Sequence, residues 1–134
     1  MYWRQSITTI KLEWRAERTK SFAITAFDPD APTAGSGWWH WQVINIPATT
    51  HTLSRDQSGH IKGATELTND YGVKGFGGVC PPANGKMHRY QFTVWALPDA
   101  KLAIPANASQ ALVGYMLNAK SLAHARLTAT YVNK

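Results

Sequence analysis

The sequence predicts a mostly β fold, with antiparallel sheet and one helix near the C-terminal end. Short segments in which apolar and polar side chains alternate recur along the chain, which is typical of half-buried strands. One late segment carries helix-start chemistry, and strands and helices do not alternate as they would in a parallel α/β protein. The length of 134 residues suits a single domain, spanning residues 1–134.

Five segments have the two-residue period of strands: Thr8–Trp14, Lys20–Asp28, Trp38–Ile46, His88–Leu97 and Ala125–Val132. Asp28 ends the second segment on the same parity as its apolar residues, so we expect it on the buried face. In the third segment His40 shares its parity with Gln42 and Ile44. Both side chains therefore enter the list of candidate site residues.

The remaining stretches predict loops and one helix. Residues between Pro47 and Met87 lack periodicity, and the glycine- and proline-rich second part indicates an ordered loop packed against another part of the molecule. Asn107 followed by Gln110 is a variant of the capping box, which predicts a helix over about 108–119.

Charge and composition exclude several classes of function. The net charge of +6 is scattered along the chain rather than clustered, which does not favour nucleic acid. No apolar run approaches the length needed to span a bilayer, and no secretory signal begins the chain. We expect a cytoplasmic protein, or a periplasmic one if the N-terminus is truncated or processed. The single cysteine excludes an internal disulfide and a multi-cysteine zinc motif.

Two acids and two histidines sit beside turn-forming segments. Asp28 and Asp30 flank Pro29, which by itself is equally typical of a turn. His40 and His88 are each in strand patterns, where a histidine is more often a core residue than a ligand. Histidines near a carboxylate and glycine-rich backbone nevertheless suit a small anion such as phosphate.

Other chemistry stays open from these residues alone. A zinc site of His40, His88 and Asp28 is chemically feasible but has no diagnostic spacing. Cys80 is read as a small buried hydrophobe, with a reactive thiol as the alternative. No Gly-x-Ser-x-Gly elbow supports a serine hydrolase.

Several motifs, in order, resemble the phosphatidylethanolamine-binding proteins, especially their bacterial Raf-kinase-inhibitor-like branch. The matching segments are Asp28-Pro29-Asp30-Ala31-Pro32, Gly37-Trp38-Trp39-His40-Trp41, Asn45-Ile46-Pro47, Gly77-Gly78-Val79-Cys80-Pro81-Pro82 and His88-Arg89-Tyr90. The resemblance implies a large central antiparallel sheet, a smaller second sheet and a shallow anion pocket. It also implies that the chain is short at its N-terminus by about twenty residues, which leaves an edge open and favours a homodimer.

Carried over by motif, the resemblance assigns Asp28, His40, His88 and Tyr90 to the ligand. The pocket wall would be Pro29, Ala31, Trp38, Cys80 and Pro81, and Asp30 would brace the loop. Cysteine at position 80, where eukaryotic members have glycine, implies a pocket mouth of different shape.

We therefore expect a binding module for a phosphate-bearing small molecule, lipid headgroup or phosphorylated side chain, and not an enzyme. Both histidines would donate hydrogen bonds to the anion, so binding should weaken above about pH 7–8. A protein kinase partner is implied by the resemblance, and no metal, cofactor, nucleic acid or membrane insertion is expected. The alternative is a small hydrolase or lyase that uses the same His/Asp/Tyr set for acid–base chemistry.

Overall fold

The computed structural model describes residues 10–11, 18–50, 52–53, 61–78, 85–105 and 107–132. Its elements in chain order are β1 (Ile10–Lys11), β2 (Ser21–Asp28), β3 (Trp38–Pro47), β4 (Thr52–Leu53), β5 (Thr65–Glu66), β6 (Met87–Leu97), α1 (Gln110–Lys120) and β7 (Ala123–Val132). Most of the predicted first strand, over Thr8–Trp14, lies outside the described residues.

Five strands form one antiparallel sheet in the order β5-β3-β2-β6-β7, and β1 pairs with β4 in a two-stranded sheet. The predicted fold class is thus confirmed: a large antiparallel sheet, a smaller one and a single helix near the C-terminus. β2 is the central strand, and all but one of its residues are buried. Its polar Thr25 is accommodated because the hydroxyl accepts a hydrogen bond from the indole of Trp95 at 3.1 Å.

Each face of the sheet carries its own apolar core. One face packs Phe22, Trp41 and Tyr90 together with Phe76 from the loop before β6. The other face packs Trp95 and Leu97 against the buried side of α1, which is formed by Val113 and Leu117. Because both faces are covered, the central strand has no solvent side.

Helix α1 begins later than the sequence suggested. Ser109 is the N-cap, and its hydroxyl accepts the amide of Leu112 at 3.1 Å. The prediction of Asn107 as the cap was wrong, because Ser109 supplies the same cap chemistry two residues later, directly before the first helical residue. The helix fits closely over β3, since a Cβ on Gly114 would lie 2.7 Å from the ring of Trp39.

A register shift in the β2–β3 ladder changes which face His40 occupies. Ala26 pairs with Trp41 and Phe27 with Trp39, which leaves His40 as the extra residue of a β-bulge. Trp39 then contacts α1, whereas His40 contacts Tyr90 on the opposite face. His40 and Ile44 therefore lie on opposite faces of the sheet although they share parity in the sequence, since Ile44 belongs to the helix-side core.

Strand β7 lies at the end of the sheet order and is mostly exposed, with Leu127 at 67%. A search of the described residues for a helix long and apolar enough to cross a membrane finds none.

Candidate functional site

Four ionisable side chains from three adjacent strands meet at one end of the large sheet. Asp28 closes β2, His40 lies near the start of β3, and His88 and Tyr90 are near the start of β6. All four are at most 4% exposed. The antiparallel order β3-β2-β6 explains the convergence, because the end of β2 lies between the starts of its two neighbours.

Asp28 and His88 form a buried pair. Nδ1 of His88 lies 2.7 Å from Oδ2 of Asp28, a distance typical of a charge-assisted hydrogen bond. The other carboxylate oxygen accepts the backbone N–H of Asp30 at 2.8 Å, so Asp28 also shapes the turn after β2. Because an ionised carboxylate can only accept a hydrogen bond, the contact requires a proton on Nδ1 of His88.

Asp30 pairs with the next residue of β6, on the exposed side of the site. Its carboxylate accepts the backbone N–H of Arg89 at 2.8 Å, and also Nε at 2.9 Å and Nη2 at 3.0 Å. These hydrogen bonds with Arg89 lower the pKa of Asp30 below its ordinary value. The turn between Asp28 and Asp30 is thereby tied to two consecutive residues of β6.

His40 is held by the loop over residues 68–78. Its Nδ1 lies 3.0 Å from the carbonyl oxygen of Gly77, and its own carbonyl accepts the N–H of Gly77 at 2.8 Å. Its ring meets Tyr71 and Tyr90 edge-on, with centroids 5.7 and 5.6 Å away. Burial lowers the pKa of His40, and the backbone of Gly77 and nearby carboxylates oppose this only in part.

Tyr90 lies between the two histidines. Its ring is nearly parallel to that of His88, at 6.3 Å, and edge-on to that of His40. Tyr90 therefore separates an imidazole backed by a carboxylate from one backed by a carbonyl.

Sequence reasoning missed the residue that organises the loop, Asn69. This side chain is 1% exposed; its oxygen accepts the amides of Tyr71 and Val73, and its amide donates to the carbonyl of Gly75. Gln110 at the start of α1 donates to the carbonyl of Thr68 at 2.5 Å and so ties the helix to the same loop. The dipeptide Asn69-Asp70 before Tyr71-Gly72 was the available signal, because Asn and Gly favour such turns.

The remaining predicted site residues fall into two groups. Pro29, Ala31 and Trp38 are partly exposed at the same end of the sheet, and the buried indole Nε1 of Trp38 has no hydrogen-bond partner among the residues that the structure describes. Cys80 and Pro81 lie outside the described residues. Within the described ranges, no three His, Cys, Asp or Glu side chains are placed to hold a metal ion, which gives the zinc alternative no support.

Comparison with known proteins identifies the family. The sequence profile described as phosphatidylethanolamine-binding protein matches residues 4–132. The chain belongs to the phosphatidylethanolamine-binding protein family. The resemblance seen in the sequence motifs is thus confirmed, and membership supports a ligand-binding protein of this type.

Relatives within the family agree at the level of sequence and fold. The chain is 53% identical to Escherichia coli YbcL over 131 residues, covering 92% of this chain and 71% of YbcL, and 45% identical to E. coli YbhB over 117 residues, covering 84% and 73%. The crystal structure of YbcL superposes with a TM-score of 0.87 at 48% identity, covering 97% of this chain and 82% of that one. The homologue CT736 from Chlamydia trachomatis gives a TM-score of 0.72 at 27% identity, covering 87% and 74%.

Proposed function

We propose that the protein binds a phosphate-type anion at the end of the sheet where Asp28, His40, His88 and Tyr90 meet. The observation that carries the proposal is the buried pair of His88 and Asp28, 2.7 Å apart. A buried carboxylate and imidazole are costly to desolvate, and such pairs in a cleft are typical of binding or catalytic sites.

Charge around the site favours an anion. Lys74 and Lys86 are exposed on the segments that border it, whereas Asp28 and Asp30 are already paired with His88 and Arg89. The net charge of +6 adds a general attraction for anions.

In this proposal His40 contacts the anion through Nε2, because its Nδ1 is bound to the carbonyl of Gly77. When both ring nitrogens carry a proton, His88 donates Nε2–H to the anion while its Nδ1–H stays bound to Asp28, whose carboxylate balances the charge. Tyr90 supports both rings and contributes its hydroxyl. Pro29, Ala31 and Trp38 form the wall, and Asp30 braces the turn through Arg89. Wall roles for Cys80 and Pro81 stay predictions from the sequence resemblance. A protein kinase partner and a homodimer stay predictions from the sequence resemblance.

The proposal is tested by titrating the protein with inorganic phosphate and phosphoethanolamine while recording the imidazole NMR signals. The signals of His40 and His88 should shift at millimolar ligand. Those of His124, which is exposed on β7, should not, so it serves as the internal control. His88→Gln should abolish the shifts and His124→Gln should preserve them; unchanged signals of both pocket histidines in the wild type would refute the proposal.

Turnover assays distinguish the alternative acid–base enzyme from the proposed binding module. A panel of phosphate and carboxylate esters should show no protein-dependent hydrolysis. A rate that His88→Gln removes and His124→Gln preserves would replace the binding module by an enzyme.

A further inference from the structure

Strand β7 forms one long edge of the large sheet. It stands last in the order β5-β3-β2-β6-β7, and within the described ranges no strand pairs with its outer side. Its ten residues pair with β6 in a single unbroken register, from Met87 with Val132 to Ala96 with Ala123. The backbone N–H and C=O groups that alternate along the outer side are therefore a regular template for another strand.

β7 lacks the features that usually protect an edge strand. Natural edges are kept short, are bent by bulges, or carry lysine and proline. The opposite edge of this sheet follows that rule, since β5 has only two residues, Thr65–Glu66. β7 contains no lysine, proline or acidic residue, and Leu127 near its middle is 67% exposed. This edge is long, regular and largely uncharged.

The two basic side chains of β7 are held against their own sheet. Nε of Arg126 donates to the hydroxyl of Thr93 on β6 at 2.9 Å. The ring centroid of His124 lies 5.2 Å from that of Trp95, also on β6. Both basic residues belong to the first half of the strand, and residues 127–132 contain none. An antiparallel strand of the same sequence therefore brings the basic half of each copy against the uncharged half of the other.

We propose that two copies of this chain join edge to edge through β7, antiparallel and with Thr128 on the two-fold axis. The five strands of each copy then form one continuous antiparallel sheet. Pairing of a strand with its own copy is an isologous contact, which closes at two subunits and leaves no β7 edge for a third.

This register makes the paired side chains complementary on both faces. On one face every pair joins a larger side chain to an alanine, and the pairs are Leu127 with Ala129 and Tyr131 with Ala125. On the other face no two basic residues are opposed, and the pairs are Thr128 with Thr128, Arg126 with Thr130 and His124 with Val132. Threonine pairs stabilise neighbouring strands, and like charges directly opposite destabilise them.

Neighbouring registers fit less well. An axis one residue earlier sets Leu127 against Leu127 and pairs Ala125 with Ala129, so large meets large and small meets small. An axis two residues earlier opposes the two Arg126 side chains. An axis one residue later shortens the paired segment and sets Leu127 against Tyr131.

Single-cysteine variants test the register, in a chain that also carries Cys80→Ser. Thr128→Cys places the two cysteines directly opposite each other, with Cα atoms about 4.5–5.5 Å apart and within reach of a disulfide. Thr130→Cys, also on an exposed threonine, places them four residues out of register, roughly 13 Å along the strand and beyond that reach. Under mild oxidation we expect a covalent dimer from Thr128→Cys alone. Equal cross-linking of both variants would overturn the register.

Sedimentation equilibrium tests the association itself. We expect a monomer–dimer equilibrium with a micromolar dissociation constant, visible between about 1 and 100 µM, since an edge contact is small. Thr128→Lys sets two like charges on the axis and should weaken the dimer at least about tenfold. Thr65→Lys, on the exposed threonine of the opposite edge, is the matched control and should leave the dissociation constant unchanged.

Two results would overturn the proposal. A chain that is still monomeric at about 100 µM would leave the β7 edge to a strand of another protein. A dimer that Thr128→Lys leaves intact would place the interface elsewhere. Neither result bears on the anion site, because the two-fold axis reverses the strand direction and sends the two sites to opposite ends of the combined sheet.

Discussion

Asp28 and Asp30 are two residues apart and bind consecutive residues of β6, yet they differ in nearly every physical respect. Side chains of the Asp28–His88 pair are 4% and 3% exposed, whereas those of Asp30 and Arg89 are 28% and 51% exposed. The reason is strand alternation, which sends His88 to the buried face and Arg89 to the opposite side. Burial, and not the type of charge, should therefore decide what each acid contributes.

The largest effect should follow Asp28→Asn. With an uncharged amide at position 28, the charge-assisted hydrogen bond with the buried His88 is lost whichever way the amide is oriented. We expect a loss of about 1.5–3 kcal/mol in the free energy of unfolding. Urea unfolding measures it, and a loss no larger than that of Asp30→Asn would break the comparison.

Asn69→Ala tests how much a buried polar side chain without a charge contributes to stability. Asn69 is as buried as Asp28 and makes three hydrogen bonds to the backbone of its own loop, so its removal should cost about 1–2 kcal/mol. Phosphate binding should weaken as well, because the loop places Gly77 against His40. The exposed Ser36, whose hydroxyl binds the carbonyl of Thr33, gives the matched control through Ser36→Ala. Equal effects of the two variants would contradict the importance of burial.

Asp30→Asn should have a smaller effect on unfolding than either buried variant, since Asp30 and Arg89 are largely in solvent. At 1 M salt, where the Debye length is about 3 Å, the charge contribution of this pair should be further reduced. Unfolding at low and high salt is therefore compared for the wild type, Asp30→Asn and Asp28→Asn. If salt changed the destabilisation caused by Asp28→Asn but not that caused by Asp30→Asn, the assignment of the exposed and buried pairs would be wrong.

The smallest expected effect is the change that acid pH makes to the contribution of Asp30 to the free energy of unfolding. Because Arg89 lowers the pKa of Asp30, this group stabilises the fold above about pH 4, and the contribution is lost as pH falls through its lowered value. Unfolding curves of the wild type and Asp30→Asn should differ at pH 6 and converge near pH 2. A difference that grows on acidification would contradict the sign of the shift.

Local patterns predicted the strands well because each long strand has enough residues to show its period. They could not predict the bulge at His40, since that depends on where β2 and β3 fall into register. The sequence pattern identified buried residues of β2 on one parity only. In the structure both parities are buried, because both faces of this central strand are covered.

The sequence predicted which residues would meet at this end of the sheet, but not the hydrogen bonds that they make there. Asp28 and His88 lie 60 residues apart, and only the β2–β6 pairing brings them together. The partner of His40 is a backbone carbonyl, which carries no signature in the sequence. Asn69 was overlooked because its role is to hold a loop, and polar loop residues look alike without their contacts.

The order of strands in the sheet also determines when each edge of β2 can find its partner as the chain is synthesised. β2 and β3 can pair as soon as both have left the ribosome, but the other edge of β2 waits for β6, about forty residues after β3 ends. At typical rates of synthesis of about 5–20 residues per second, β2, which is almost entirely buried in the folded protein, has an open edge in the nascent chain for roughly 2–8 s. Chaperones that recognise extended apolar segments have that interval in which to act on Ser21–Asp28.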